Sequence, residues 1–356
     1  MNLLSGDYPR YTEAAILVEQ KKPLEIARIE LPSTLELGQV LIEFHFSGIC
    51  GSQLGEIDGV KGPDRWLPHL LGHEATGKVL ATGPGVKHVK AGDLVVAHWR
   101  PSMGIEATPA KYLWAGRTVN AGWITTFNKH AVISENRLTP IPASTDPRSA
   151  ALYGCAVTTG FGVIDNRARV RLGETVIVFG AGGIGLNIVQ AASLAGAAVI
   201  VAVDLFDNRL ALAKRCGATH IINGLQPDIW EQIAKSLNGQ APDVFIDNTG
   251  RPEIIGRGYE TVSARGRVIL VGVPSKGANA SLHTLPLHFG KQIVGTTGGE
   301  AMPHEDIPRY LGLMKSRGIN LMDLITEVAP LCRVNQLIAN MRTGNSAGRC
   351  LIDLTS

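Results

Sequence analysis

The chain has 356 residues, 45% hydrophobic and 18% charged, with 41 glycines and a net charge of +3. That length allows one to three domains with ample apolar surface for their cores, while the scattered Lys and Arg form no basic run, which argues against nucleic acid or a membrane surface as partner. Five widely spaced cysteines (Cys50, Cys155, Cys216, Cys332 and Cys350) are odd in number, which speaks against a disulfide framework and for a reducing compartment.

In chain order, the first ten residues lack the basic-then-apolar layout of a secretory signal, and the chain reads as cytoplasmic. Residues 1–157 read as mostly β, with short apolar runs at 14–18, 40–46 and 94–97 between Gly, Pro and charged turn signals. Residues 98–130 read as one long loop, rich in Gly, Thr and aromatics, of a length that is usually functional. From about Thr158 strand-length and helix-length apolar runs alternate: 176–179, 184–195, 199–203, 209–216, 221–222, 229–237, 244–246 and 268–271. That alternation implies an α/β domain with a doubly wound parallel sheet, placed at 158–299. Residues 175–203 carry no charge, but their glycines and β-branched ends fit strand, turn, buried helix and strand better than a membrane span. Helices at 307–315 and 334–341 and a strand at 350–354 follow. Residues 300–356 are expected to return to the first part and complete it.

Within this pattern lies Gly180-Ala181-Gly182-Gly183-Ile184-Gly185, after a strand and opening a helix. Gly180 suits a tight turn, Gly182 lets backbone approach a pyrophosphate, and Gly185 lets the helix pack on the sheet. The helix start offers free N–H groups to an anion. The next strand ends in Asp204, 19 residues after Gly185, where a carboxylate binds the adenosine ribose and repels the extra phosphate of NADP. NAD is the expected cofactor, with Arg209 near enough in sequence to keep NADP open.

The first part holds a second constellation, Cys50, His73 and Cys155, in the contexts Gly-Ile-Cys-Gly-Ser-Gln, Gly-His-Glu and Gly-Cys. Two thiolates and an imidazole suit zinc and leave a fourth position open. Buried core cysteines and a core histidine would also explain these residues, and spacing alone leaves both readings open.

Together these segments, with the Gly92-Asp93 turn, Thr158-Thr159-Gly160 and Val271-Gly272-Val273, resemble the zinc-containing medium-chain alcohol dehydrogenases over nearly the whole chain. The resemblance implies a GroES-like, mostly β catalytic domain beside a Rossmann domain, a homo-oligomer (dimer or tetramer), and a small alcohol or carbonyl substrate. It implies one catalytic zinc on Cys50, His73 and Cys155, with Glu74 beside the metal and Ser52 accepting the substrate proton. Thr159, Ile184, Val271 and Val273 would pack on the nicotinamide. Gly180, Gly182, Gly183, Gly185, Asp204 and Arg209 would hold the rest of NAD. Arg349 would contact the pyrophosphate, and Trp99 and Phe127 would line the substrate pocket.

Three departures matter. Residues 100–128 contain no cysteine, so no second, structural zinc is expected. Gln53 stands where an acid usually orients the zinc-bound histidine, and an amide lacks the charge that would raise ligand basicity. Gly55 replaces the histidine that ends the proton relay in some members, leaving water, a ribose hydroxyl or Glu56, itself readable as a plain surface carboxylate. The Trp99-Arg100 pair and the polar, aromatic stretch 112–127 suggest a polyol, cyclitol or sugar substrate, unless Trp114 and Trp123 only pack the loop. A zinc-free NADPH-dependent quinone or enone reductase and a non-catalytic nucleotide-binding protein are the alternatives.

Overall fold

Side-chain alternation along single strands builds two cores in the first part of the chain. Along Gln39–Ile49, Val40, Ile42 and Phe44 enter one hydrophobic cluster while Leu41 enters another; Tyr11–Leu17 divides Ala15 and Leu17 from Ala14 and Ile16 in the same way. This is the period of two that a pleated strand imposes. The computed structural model describes residues 2–3 and 8–356. It divides into two units, Met1–Cys155 with Met302–Ser356, and Ala156–Ala301.

In the first unit, Gln39–Ile49 is the centre of a seven-stranded sheet. It pairs antiparallel with Glu74–Thr82, with His130–Ser134 and with Arg349–Asp353, where Cys350 faces Ile49. The last segment thus re-enters the first unit as a sheet strand. A five-stranded sheet runs Arg117–Val119, Tyr112–Trp114, Glu25–Glu30, Tyr11–Leu17 and His69–Leu70.

Two of those strands correct the reading of residues 98–130 as one loop. Tyr112–Trp114 and Arg117–Val119 form a hairpin, with Trp114 opposite Arg117. Its two turn residues, Ala115 and Gly116, both have positive φ, 48° and 78°, as a two-residue turn matched to strand twist requires. Tyr112 anchors the hairpin, fully buried, its hydroxyl accepting from the Val132 N–H at 2.8 Å.

The second unit holds a six-stranded parallel sheet in the spatial order His220–Asn223, Val199–Asp204, Thr175–Phe179, Val244–Asp247, Arg267–Leu270, Gln292–Gly295. Numbered within the unit this is 3-2-1-4-5-6, and the order reverses beside Thr175–Phe179, the place where such sheets bind dinucleotides. Helices Gly183–Leu194, Asp207–Arg215, Ile229–Ser236 and Pro252–Thr261 connect the strands. The charge-free stretch expected as strand, turn, helix and strand has that form: Thr175–Phe179, Gly183–Leu194, Val199–Asp204. Among the described residues no helix is long and apolar enough to cross a membrane.

Candidate active site

The central strand of the first unit ends at Ile49, and Cys50 is the N-cap of the short helix Gly51–Ile57. His73 comes just before strand Glu74–Thr82. Gly72 sets its direction, with φ +94°, and a Cβ there would collide with Thr126 Oγ1 and the Phe127 ring. Cys155 follows a 3-10 turn, Leu152–Gly154, and completes the group. One ligand atom from each of Cys50, His73 and Cys155 lies within 4.8 Å of the others. The two sulfurs are 3.9 Å apart. His73 Nε2 is buried and has no hydrogen-bond partner among the described residues. Two soft sulfurs and an unsatisfied imidazole nitrogen converging on one point fit zinc, with three ligands and an open fourth position.

The electrostatics follow from that crowding. The hydrogen bond from Cys155 holds the Cys50 thiol well below its ordinary value, against the effect of burial and with help from the Arg349 charge. The same bond, with burial, pushes Cys155 up. Burial alone would lower His73, but the neighbouring Cys50 raises it overall. Thiols bind a metal as thiolates, so metal binding at this pair would release protons.

Behind the ligands sits a buried ion pair. Glu74 is 0% and Arg349 4% exposed. Arg349 Nη2 lies 3.0 Å from Glu74 Oε1, and Nη1 donates to the Ile49 carbonyl at 3.1 Å. Arg349, expected at a cofactor pyrophosphate, thus has both terminal nitrogens committed within the first unit. Gln53 is also engaged twice. Its side-chain oxygen accepts the Cys50 N–H at 3.0 Å, and its nitrogen contacts His73 Nδ1. Ser52 is exposed in the first turn of the same helix.

A cavity of about 610 Å³ opens on Gln53 and His73. Its wall carries Trp66, 59% exposed, and Trp123, 46% exposed, with Glu56, Asp64 and His69. Trp99 and Phe127, the residues expected at a substrate pocket, do not line this cavity. Phe127 is fully buried in the main core and packs beneath Gly72 instead. Trp99 lies under the Arg100 guanidinium, 5.8 Å from ring to cation, and is not part of this wall. Trp114 packs against the second core, as the plainer reading had it. His69, Asp64 and Trp66 carried no signal in the sequence, because neither periodicity nor spacing marks them.

The residues expected at the nucleotide, Arg349 apart, stand in the second unit. Gly182 caps helix Gly183–Leu194, which begins with Gly183, Ile184 and Gly185. At Gly185 a Cβ would collide with the Gly180 carbonyl, so only glycine lets the helix start that close to the strand. Asp204 ends its strand, as the sequence spacing requires, and accepts the N–H of Ala181 at 2.7 Å and of Phe206 at 3.1 Å. Arg209 Nη1 is 3.7 Å from it. Thr159 is buried in helix Ala156–Gly162; Val271 follows strand Arg267–Leu270, and Val273 is 72% exposed.

Comparison with known proteins decides the family. The alcohol dehydrogenase GroES-like domain matches residues 36–143 and the zinc-binding dehydrogenase domain residues 183–316. An NDMA-dependent alcohol dehydrogenase of Amycolatopsis methanolica is 30% identical, over 94% of this chain and 97% of its own length. The chain belongs to the zinc-containing medium-chain alcohol dehydrogenases. This dehydrogenase is also 29% identical to the S-(hydroxymethyl)glutathione dehydrogenase of Paracoccus denitrificans, over 94% of the chain and 98% of that protein. Among solved structures, benzyl alcohol dehydrogenase from Acinetobacter calcoaceticus superposes with a TM-score of 0.86 at 25% identity, covering 97% of this chain and 99% of the other. The two units are accordingly the GroES-like and Rossmann-like domains of that family, and the activity is that of an alcohol oxidoreductase.

Proposed function

We propose that this dehydrogenase moves a hydride between an alcohol and NAD with one catalytic zinc per chain. The convergence of Cys50, His73 and Cys155, with a buried, unsatisfied His73 Nε2, carries the proposal. When bound, zinc supplies Lewis acidity toward the alcohol oxygen and the nicotinamide accepts the hydride. Ser52 takes the substrate proton. Glu74 and Arg349 fix the ground beneath the two thiolates. Gly180, Gly182, Gly183 and Gly185 cradle the pyrophosphate, with Thr159, Ile184, Val271 and Val273 against the nicotinamide. Asp204 takes the ribose hydroxyls and favours NAD, and Arg209 lies beside it. The protein works as a homo-oligomer in a reducing cytoplasm, the compartment that an odd number of widely spaced cysteines favours.

The substrate in this reading is a polyol, cyclitol or sugar. The cavity at His73 presents two aromatic faces and a wall of acceptors and donors, of a size that holds such a molecule. Metal analysis of protein purified without added metal or chelator is the first test, followed by a panel of alcohols and polyols with NAD and NADP. About one zinc per chain and NAD-linked turnover of polyols are expected. Protein that takes up no zinc would overturn the mechanism. Inert polyols beside well-used long-chain alcohols would overturn the substrate class.

A further inference from the structure

The cavity wall that carries His73 and Gln53 also carries an acid–imidazole–acid group outside the metal and cofactor sites. His69 is 7% exposed. Its Nδ1 faces the Leu70 carbonyl at 2.9 Å; its Nε2 lies 2.7 Å from Asp64 Oδ2 and 3.9 Å from Glu56 Oε1. Both ring nitrogens are engaged, which fixes the ring between the Leu70 carbonyl and Asp64. Asp64 is held in place in turn, its other oxygen accepting the Trp66 N–H at 2.8 Å.

Glu56 joins this group to the reacting end of the site. It lies four residues after Ser52 on helix Gly51–Ile57, and both side chains are exposed. Residues four apart share a helix face, with about 5–6 Å between Cβ atoms. Gly55 between them leaves the space beside Ser52 open; a Cβ there would meet only Val60, at 3.8 Å. The titratable groups that share the cavity wall with Glu56 are Asp64, His69, His73 and Lys111, while Asp58 at the helix end is paired with Arg342.

We propose that Glu56, positioned by His69 and Asp64, takes up the proton released by alcohol oxidation. This rests on the reading above that Ser52 receives the substrate proton. The alcohol loses a hydride from carbon to NAD and a proton from oxygen. Its O–H bond breaks, Ser52 Oγ gains that proton and gives its own to the Glu56 carboxylate, where one new O–H bond forms. Glu56, its side chain 47% exposed, then returns the proton to water. His69 keeps its bond to Asp64 throughout.

The test uses the full-length, zinc-loaded enzyme with NAD and the best alcohol from the panel. Glu56→Gln is expected to lower kcat by about 100-fold, to move the acid limb of its pH profile, and to leave zinc content and NADH affinity unchanged. Added formate restores the rate in proportion to its concentration, and Glu56→Asp restores part of it. His69→Gln shifts the same limb with a smaller loss. A Glu56→Gln enzyme with wild-type kcat and pH profile would overturn the proposal, as would a loss that formate does not rescue. A wild-type chain that binds zinc and NAD but oxidises no alcohol would instead overturn the dehydrogenase reading itself.

Discussion

Arg349 and Glu74 face each other where no water reaches, and neither charge can be removed alone without leaving the other stranded. Arg349→Leu is expected to cost about 3–5 kcal/mol, while the double change with Glu74→Leu recovers most of it. Urea denaturation of the three proteins measures this, and an Arg349→Leu midpoint equal to wild type would contradict the burial argument. Gln53 meets a different constraint. One amide oxygen serves the Cys50 N–H, and the nitrogen is turned to His73 Nδ1. A carboxylate has an oxygen for each, so Gln53→Glu is expected to tighten zinc binding by about tenfold, read by competition with a chromogenic chelator. Weaker binding would show that the amide is the better partner in this setting.

At the scale of the element, the hairpin 112–119 turns through Ala115, a residue with a Cβ in left-handed geometry. Ala115→Gly removes that clash and is expected to stabilise the protein by about 0.5–1 kcal/mol, seen as a raised Tm. The segment leading to the hairpin is held by a carboxylate. Glu135 accepts the N–H groups of Lys87 at 2.6 Å, His88 at 2.8 Å and Ile105 at 2.8 Å. Burial raises its carboxyl, but the bonds from His88, Ile105 and Lys87 outweigh it and hold the value below the ordinary range. A carboxyl held low by folding stabilises fully above its unfolded value, and that contribution is lost as pH falls through the folded one. Wild type should therefore lose more stability than Glu135→Gln between about pH 5 and pH 3. Equal losses in urea midpoints across that range would remove Glu135 from the account.

For the whole molecule, the proposed metal ligands belong to one unit and the glycine turn to the other. Stripping zinc with a chelator is expected to abolish turnover while NADH still binds, measured by quenching of protein fluorescence. Loss of NADH binding together with the metal would tie the two sites more closely than this. The second unit was legible in the sequence because its buried strands are long apolar runs, such as Val176 to Phe179, broken by glycine turns. The hairpin was not, because three-residue strands are too short to show a period. Helix Gly51–Ile57 was missed for a similar reason: two turns with two glycines give no apolar stripe. Phe127 read as a wall and is core, since an aromatic in a polar stretch carries no sign of which way it faces. The His69 group arises where Glu56, Asp64 and the short strand His69–Leu70 fold back on one another, which only three-dimensional structure reveals.

The pairing of Ile49 with Cys350 also sets an order of events during synthesis. Some 300 residues separate the two partners, so at ribosomal speed the central strand waits roughly 15–60 s for its neighbour. Through that interval the entire second unit is translated, while residues 46–49 at the end of the central strand stay uncovered on the edge whose other end His130–Ser134 already pairs, and Arg349 is not yet there to face Glu74. The nascent chain is thus most exposed to wrong strand pairing and to chaperone capture in its earliest-made part, which is also the last to be completed.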